Sequence, residues 1–424
     1  MKASLAYGKG WLDLELPGVA ADVIRPTHQP GLSDERAAVL HALEQPIEAE
    51  PLRDWLRPEC KVCITFTDLT RATPNERIIP WLLEYLANHG VHKDQILLLN
   101  QLGTHRPNTR QELEQILTPE VVNAYRVINH EPENPKALVQ LGTTESGTPA
   151  LINRHFVEAD VRIVTGFIEP HLFAGFSGGV KGIMPGVAGL ETVMSNHGYT
   201  HIADPSATFG ITNGNPVWEE LRNIALRVGK SFLLNVSLNN ERKITGVFAG
   251  HLVKSHAVGC EFVRRSAMQR VDAPYDVVVT TNSGYPLDLN LYQTAKGIAA
   301  AARIIKKGGT IIVASECSDG IPAKSPFERL LHSAENTNLL LERLHNAKKH
   351  EPDQWQAQIQ ANCQRRAKVM LFSELADDVV RGAHLEPCHD IAHEVLSLAR
   401  TRSQQSVAIL PVGPLTIPYL AHDN

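Results

Sequence analysis

The chain has 424 residues, 43% of them hydrophobic and 21% charged, with a net charge of -5 at neutral pH. That length favours two or three domains with sizeable cores, and the dispersed basic residues exclude the cationic runs of a nucleic-acid or anionic-membrane binder. No stretch approaches the roughly 18 apolar residues of a membrane span, and MKASLAYGKGWLDLELPG lacks a signal-peptide core, so the expected location is the cytoplasm.

From residue 60 to beyond 310, short Val-, Ile- and Leu-rich runs alternate with amphipathic stretches, the pattern of a parallel sheet covered by helices. Strands are expected over 61–67, 95–100, 161–167, 232–238, 276–281 and 310–315. Helices are expected over 76–88, closed by Gly90, over 110–116 and over 252–270. Cys60 and Cys63 make a lone CxxC that leads into the first of these strands, which favours a structural role over redox or zinc chemistry. After Val271-Asp272-Ala273-Pro274, the run YDVVVTTNSGYP, the Ala-rich NLYQTAKGIAAAARIIKK and GGTIIVAS form one βαβ unit. Three further helical stretches run to about Arg402, and SVAILPVGPLTIPYL is strand-like.

The expected fold is α/β, with two domains, each a mainly parallel sheet flanked by helices, and the active site in the cleft between them. Residues 1–272 form the cofactor-binding catalytic domain, joined by the C-terminal segment 404–424. Residues 273–403 form a domain that closes on the substrate.

Common motifs fail. No GxGxxG follows a strand, and Gly229-Lys230-Ser231 lacks the leading glycine of a P-loop, where Ile224 stands instead. His389-Asp390-Ile391-Ala392-His393 has zinc-like i,i+4 histidines. It lacks a third ligand, and it reads better as the start of an amphipathic helix.

Three polar clusters follow expected strands, where open α/β sheets place ligands. In Asp68-Leu69-Thr70-Arg71, aspartate and threonine suit a turn, while the arginine fork suits a carboxylate. In Gly103-Thr104-His105-Arg106-Pro107, a loop histidine suits proton transfer. The third cluster is EPHLFAGFSGGVKGIMPG, residues 169–186, too glycine-dense for a regular element. There the amides of Ser177, Gly178 and Gly179 can form a nest for a phosphate, flanked by His171 and Lys181.

Taken in order and spacing, Asp68-x-Thr70-Arg71, Gly103-Thr104-His105-Arg106, Glu169-Pro170-His171, Gly178-Gly179-x-Lys181, Pro185-Gly186, His197 and Tyr292-Gln293-x-x-Lys296 resemble the nickel-dependent lactate racemase family over most of the chain. The resemblance implies a racemase or epimerase that inverts C2 of a 2-hydroxyacid such as lactate, malate or a sugar acid like gluconate. It implies a nickel-pincer nucleotide, a pyridinium-3-thioamide-5-thiocarboxylic acid mononucleotide, joined covalently to Lys181, with His197 as the protein ligand of nickel.

By the same resemblance His105 and His171 are the two acid/bases, which serve hydride transfer to and from the cofactor. Asp68, Thr70, Ser177, Gly178 and Gly179 border the cofactor, and Arg71, Tyr292, Gln293 and Lys296 hold the substrate. Cofactor-biosynthesis proteins are implied as maturation partners, with no nucleic acid and no membrane. One residue departs from the pattern: Ala72 follows Arg71 where the lactate enzymes have proline, which leaves the hydroxyacid open. The competing readings are a conventional metal-dependent lyase or hydrolase on a hydroxyacid, and a noncatalytic protein that binds the hydroxyacid or the nickel cofactor.

Overall fold

The computed structural model describes residues 1–322, 325–347, 349–401 and 405–421. The chain divides into two compact α/β units. One comprises His28–His197 and Ser206–Arg264, the other Met1–Thr27, Gly198–Pro205 and Arg265–Asn424. Among the described residues no helix is long and apolar enough to cross a membrane.

In the unit built around residues 28–264, six strands lie in the order Ile244–His251, Phe232–Leu238, Val161–Phe167, Val62–Phe66, Ile96–Asn100, Arg126–Asn129. All neighbours are parallel except the first pair, an antiparallel hairpin. Every residue of Val62–Phe66 is buried, as a strand covered on both faces requires. Helix Asn75–Asn88 lays Ile78, Ile79, Leu82 and Leu86 onto this core. Each such side chain contributes about 1.5–3 kcal/mol by leaving water. From Val62–Phe66 the chain winds outward to Arg126–Asn129, then returns to set Val161–Phe167 on the opposite side of Val62–Phe66. Winding reverses between those two strands, and loops leaving their carboxyl ends diverge.

The other unit holds six parallel strands in the order Glu386–Pro387, Lys368–Phe372, Ile305–Ala314, Tyr275–Thr281, Val407–Leu410, Asp22–Val23. Its winding reverses between Tyr275–Thr281 and Val407–Leu410. Helix Leu291–Ala302 buries Ile298 together with Ala295, Ala300 and Ala301, small residues that let it lie close to the sheet.

The strands Val161–Phe167 and Phe232–Leu238 match their expected bounds, and the other four appear with shifted ends. Four differences have physical causes. Residues 305–307, expected in the Ala-rich helix, begin the strand Ile305–Ala314, because that helix stops at Ala302 and the chain enters the ladder beside Tyr275. Helix Lys254–Ala267 ends earlier than 270, since Met268–Val271 pairs with Ile417–Leu420.

Beyond residue 315 the described residues form five helices, Pro326–Leu331, Thr337–His345, Gln354–Arg366, Asp377–Gly382 and Ile391–Thr401, and the strand Lys368–Phe372 among them. Five apolar-rich residues directly after a helix carry too short a period to separate by pattern. Arg402 lies outside the described residues.

Finally, the boundary at 272 is not the observed one. Val407–Leu410 and Asp22–Val23 extend the edge of Tyr275–Thr281, whose backbone groups need partners, so both chain ends belong with residues 265–401 rather than with the first domain. Of the segment 404–424, residues 404 and 422–424 lie outside the described residues.

Candidate active site

The three polar clusters sit at one end of the first unit's sheet. Asp68 follows Val62–Phe66 and is 3% exposed. Its Oδ2 accepts a hydrogen bond from Nδ1 of His105 at 2.9 Å, and both of its oxygens face the Thr70 hydroxyl, at 3.0 and 3.1 Å. Arg71 donates to that hydroxyl at 3.2 Å. Burial alone would raise the Asp68 pKa. The hydrogen bond and charge of His105, then Arg71 and Thr70, outweigh it and hold the carboxyl below its ordinary value. With its proton held on Nδ1, His105 offers a lone pair at Nε2. Asp68 and Thr70, expected beside the cofactor, are thus tied to one of the expected acid/bases. Arg106, next in the motif, pairs with Glu112 instead.

Residues 102–105 are moored to the glycine-rich loop, because Gly103 donates its amide to the Gly186 carbonyl at 2.9 Å. That loop opens with a short ladder of Pro170–His171 against Gly175–Phe176 and continues into a 3-10 turn, Gly179–Gly182, which carries Lys181. The expected amide nest does not form. Ser177 gives its N–H to the Glu169 carbonyl at 2.9 Å, and Gly179 gives its own to Asn235 Oδ1 at 2.7 Å. Those donors face the protein, which must satisfy them once the loop is packed.

Beneath the loop the buried His256 donates from Nε2 to the Ser177 carbonyl at 2.8 Å. A Cβ at Gly179 would lie 2.4 Å from its ring, so only glycine lets the backbone pass. Lys181 keeps some surface overall, yet its amine end is enclosed by protein. This burial, aided by the charge of Arg71, lowers its pKa to about 7.

Phe173 ties the remaining groups together. Its ring stands edge-on to His171 at 4.7 Å and to His197 at 5.0 Å between centroids, and the Lys181 amine lies 5.8 Å from its centre. His171 accepts at Nδ1 from the amides of Ala174 and Phe173, at 3.3 and 3.5 Å, which places its proton on Nε2. His105 and His171 are therefore held as opposite tautomers. His197, 4% exposed, caps the helix Leu190–Asn196, and its Nδ1 meets Asn196 Oδ1 at 3.0 Å.

In the second unit, Tyr292, Gln293 and Lys296 share the partly exposed face of helix Leu291–Ala302, while Leu291, Thr294 and Ala295 are buried. Asn290 caps that helix by accepting the Gln293 amide at 3.1 Å, and Tyr292 stacks edge-on with Phe327 at 5.3 Å. The His389/His393 pair does not share a helix face: Asp390 accepts the His393 amide as a cap and the helix begins at Ile391. Cys60 and Cys63 are buried free thiols. Sequence reasoning overlooked Phe173, Asn196, Glu220, Asn235 and His256. Phe173, inside the glycine-rich stretch, and Asn196, beside His197, carried a positional hint; the others did not.

Residues 7–210 match the lactate racemase N-terminal domain family, and residues 271–416 match the lactate racemase C-terminal domain family. Lactate racemase of Thermoanaerobacterium thermosaccharolyticum is 33% identical over 419 residues, 96% of this chain and 97% of that one. Lactate racemase of Lactiplantibacillus plantarum is 34% identical over 385 residues, 89% and 90% of the two chains.

The structure of the lactate racemase apoprotein from T. thermosaccharolyticum superposes with a TM-score of 0.92 at 32% identity, covering 99% of this chain and 100% of that one. A crystal structure of a Thermotoga maritima protein shares the fold alone, with a TM-score of 0.70 at 20% identity, covering 93% and 100%. Fold and relatives together define an isomerase of the racemase kind. The chain belongs to the lactate racemase family.

Proposed function

We propose that the protein racemises a 2-hydroxyacid, with lactate the first candidate because both curated relatives are lactate racemases. It does so with a nickel-pincer nucleotide carried on Lys181. The observation that carries this reading is the grouping of Lys181, His171 and His197 around Phe173, with Arg71 close enough to depress the Lys181 pKa. An amine poised near neutrality is available as the free base that amide-type attachment needs. Among the described residues no group of three His, Cys, Asp or Glu could hold a metal. The donor set therefore fits a metal whose other ligands arrive with a tethered group, with His197 as the protein's single contribution.

When bound, that group supplies the two-electron acceptor for the Cα hydrogen that no side chain offers. The chain's own residues handle protons and orientation. His105, its tautomer held by Asp68, takes the hydroxyl proton at Nε2 as Cα becomes planar. His171, with its proton on Nε2, returns one when the hydrogen is restored to the opposite face. Arg71 holds the substrate carboxylate. Tyr292, Gln293 and Lys296 add donors and a cation at a helix N-terminus. Cofactor-biosynthesis proteins are the partners that load Lys181.

Intact-protein mass spectrometry and chiral assays on protein co-produced with those partners test the proposal, using lactate, malate and gluconate. The expected result is an adduct at Lys181 that rises and falls with racemisation. Full activity with an unmodified Lys181 overturns it.

A further inference from the structure

A metal-bound histidine must present one bare ring nitrogen, and a neighbour on the other nitrogen decides which. His197 Nδ1 meets Asn196 Oδ1 at 3.0 Å. Oxygen and amide nitrogen of an asparagine are distinguished by their partners rather than by shape. Here the partners leave one orientation. On its far side the Asn196 amide faces Glu220 Oε2 at 2.8 Å and the Val217 carbonyl at 3.2 Å, both acceptors, so Nδ2 must point there. Oδ1 then faces His197, and His197 must carry its proton on Nδ1.

Glu220 itself is held firmly. It is 8% exposed on helix Pro216–Leu226, and its other oxygen accepts from Thr144 at 2.9 Å and from Ser146. Burial opposes its charge, but hydrogen bonds from Ser146, Asn196, Thr148 and Thr144 keep its pKa below the ordinary value. Asn196 and Glu220 belong to none of the three polar clusters and play no other part in the chemistry above.

We infer that Glu220 and Asn196 are positioning residues that fix the tautomer of His197, leaving Nε2 as the unprotonated nitrogen that would serve nickel. The inference rests on the reading of His197 as the nickel ligand, but the tautomer itself is a property of the apoprotein. A carboxylate two hydrogen bonds away thus sets the donor atom: Glu220 orients the asparagine amide, and the amide orients the imidazole proton. Converting Glu220 to an amide weakens this instruction, because glutamine can donate as well as accept, and the Val217 carbonyl at 3.2 Å then opposes turnover of Asn196 less strongly than the pair of acceptors did.

The experiment is long-range 1H–15N correlation on apoprotein with 15N-labelled histidine, the His197 signals being assigned by their loss in His197→Ala. The parent protein, which needs no variant to fold, is expected to show the Nδ1–H tautomer. In Glu220→Gln with an unchanged circular dichroism spectrum, a mixture of tautomers is expected. After loading, Glu220→Gln is expected to release nickel to a chelator about 10- to 100-fold faster.

An Nε2–H tautomer in the parent overturns the inference. So does a folded Glu220→Gln that keeps both the parent tautomer and the parent release rate. Failure of the nickel reading shows separately, as an unchanged nickel spectrum and content in loaded His197→Ala alongside the expected tautomers.

Discussion

His105 Nδ1 donates to Asp68 Oδ2 at 2.9 Å, on a carboxylate that is itself 3% exposed. The imidazole side chain remains 41% exposed, so the pair joins a buried anchor to an accessible base. Asp68→Asn keeps the shape but removes the anion that stabilises the imidazolium and selects the tautomer. Racemisation is expected to slow by about 10²- to 10⁴-fold in kcat, the range for an orienting aspartate. Nickel content should stay at the parent level. A variant turning over within twofold of the parent refutes this arrangement.

The same aspartate ties stability to acid. Its folded pKa lies below the unfolded value, so the unfolded chain takes up the proton first as pH falls. The stabilisation is present in full above the unfolded value, near 3.9, and disappears as pH drops through the folded one. Urea titrations of the parent and of Asp68→Asn between pH 6 and pH 3 should therefore converge toward the acid end. Parallel curves across that range speak against it.

For Lys181 the sign is opposite in consequence. A lysine whose folded pKa is lowered to about 7 disfavours folding wherever it is charged in both states. The penalty is complete below pH 7, shrinks as pH rises and vanishes above the ordinary value of 10.5. Lys181→Met should raise the Tm of the apoprotein at pH 6, by about 2–4 °C per kcal/mol relieved. At pH 10 the gain should be much smaller. Calorimetry at both pH values decides, and equal shifts would count against a buried amine.

Phe173 contacts His171, His197 and the Lys181 amine, so its loss should be felt at all three. Phe173→Ala is expected to cost about 3–5 kcal/mol of apoprotein stability, as a large aromatic removed from a packed site does. Phe173→Leu preserves more volume and isolates the positional effect. We expect it to fold with a smaller stability loss and to lose at least tenfold in kcat. Parent-like kinetics in the leucine variant would exclude a positioning role for the ring.

Gly178 and Gly179 have φ of +77° and +56°, and a Cβ on either would come within 2.4 Å of Asn235 or His256. Gly179→Ala should destabilise the apoprotein by about 1–3 kcal/mol and reduce Lys181 loading. Chemical denaturation and intact mass measure the two effects. Gly147→Ala, also at positive φ but with nothing near its Cβ, isolates the strain part.

Mostly apolar runs such as VCITF and FLLNVSL, without a two-residue alternation, declare themselves as buried strands, since a strand covered on both faces needs apolar residues on both. The short run KVMLF did not stand out, because it follows a helix directly. The chemistry-bearing types were legible too: Lys181, His105, His171 and His197 all lie in or beside loops that a glycine-rich or turn-rich pattern marks. Their supports were not. Asn235 and His256 lie 58 and 79 residues beyond Ser177, and nothing local links them to the loop they hold. The expected phosphate nest failed partly for the same reason: the Gly179 amide found Asn235 on a distant strand, while that of Ser177 turned back to the nearby Glu169 carbonyl.

The order of motifs along the chain points to Lys181 as the attachment residue we propose, because covalent attachment requires one residue type at one place. Its near-neutral amine could not be read that way, since a pKa depends on which atoms surround a group and how much water they exclude. Likewise the opposite tautomers of His105 and His171 follow from Asp68 on one ring and two backbone amides on the other. Residue identity travels in sequence, whereas proton position is set by hydrogen-bond partners, and the fold alone brings Asp68 to His105 across 37 residues.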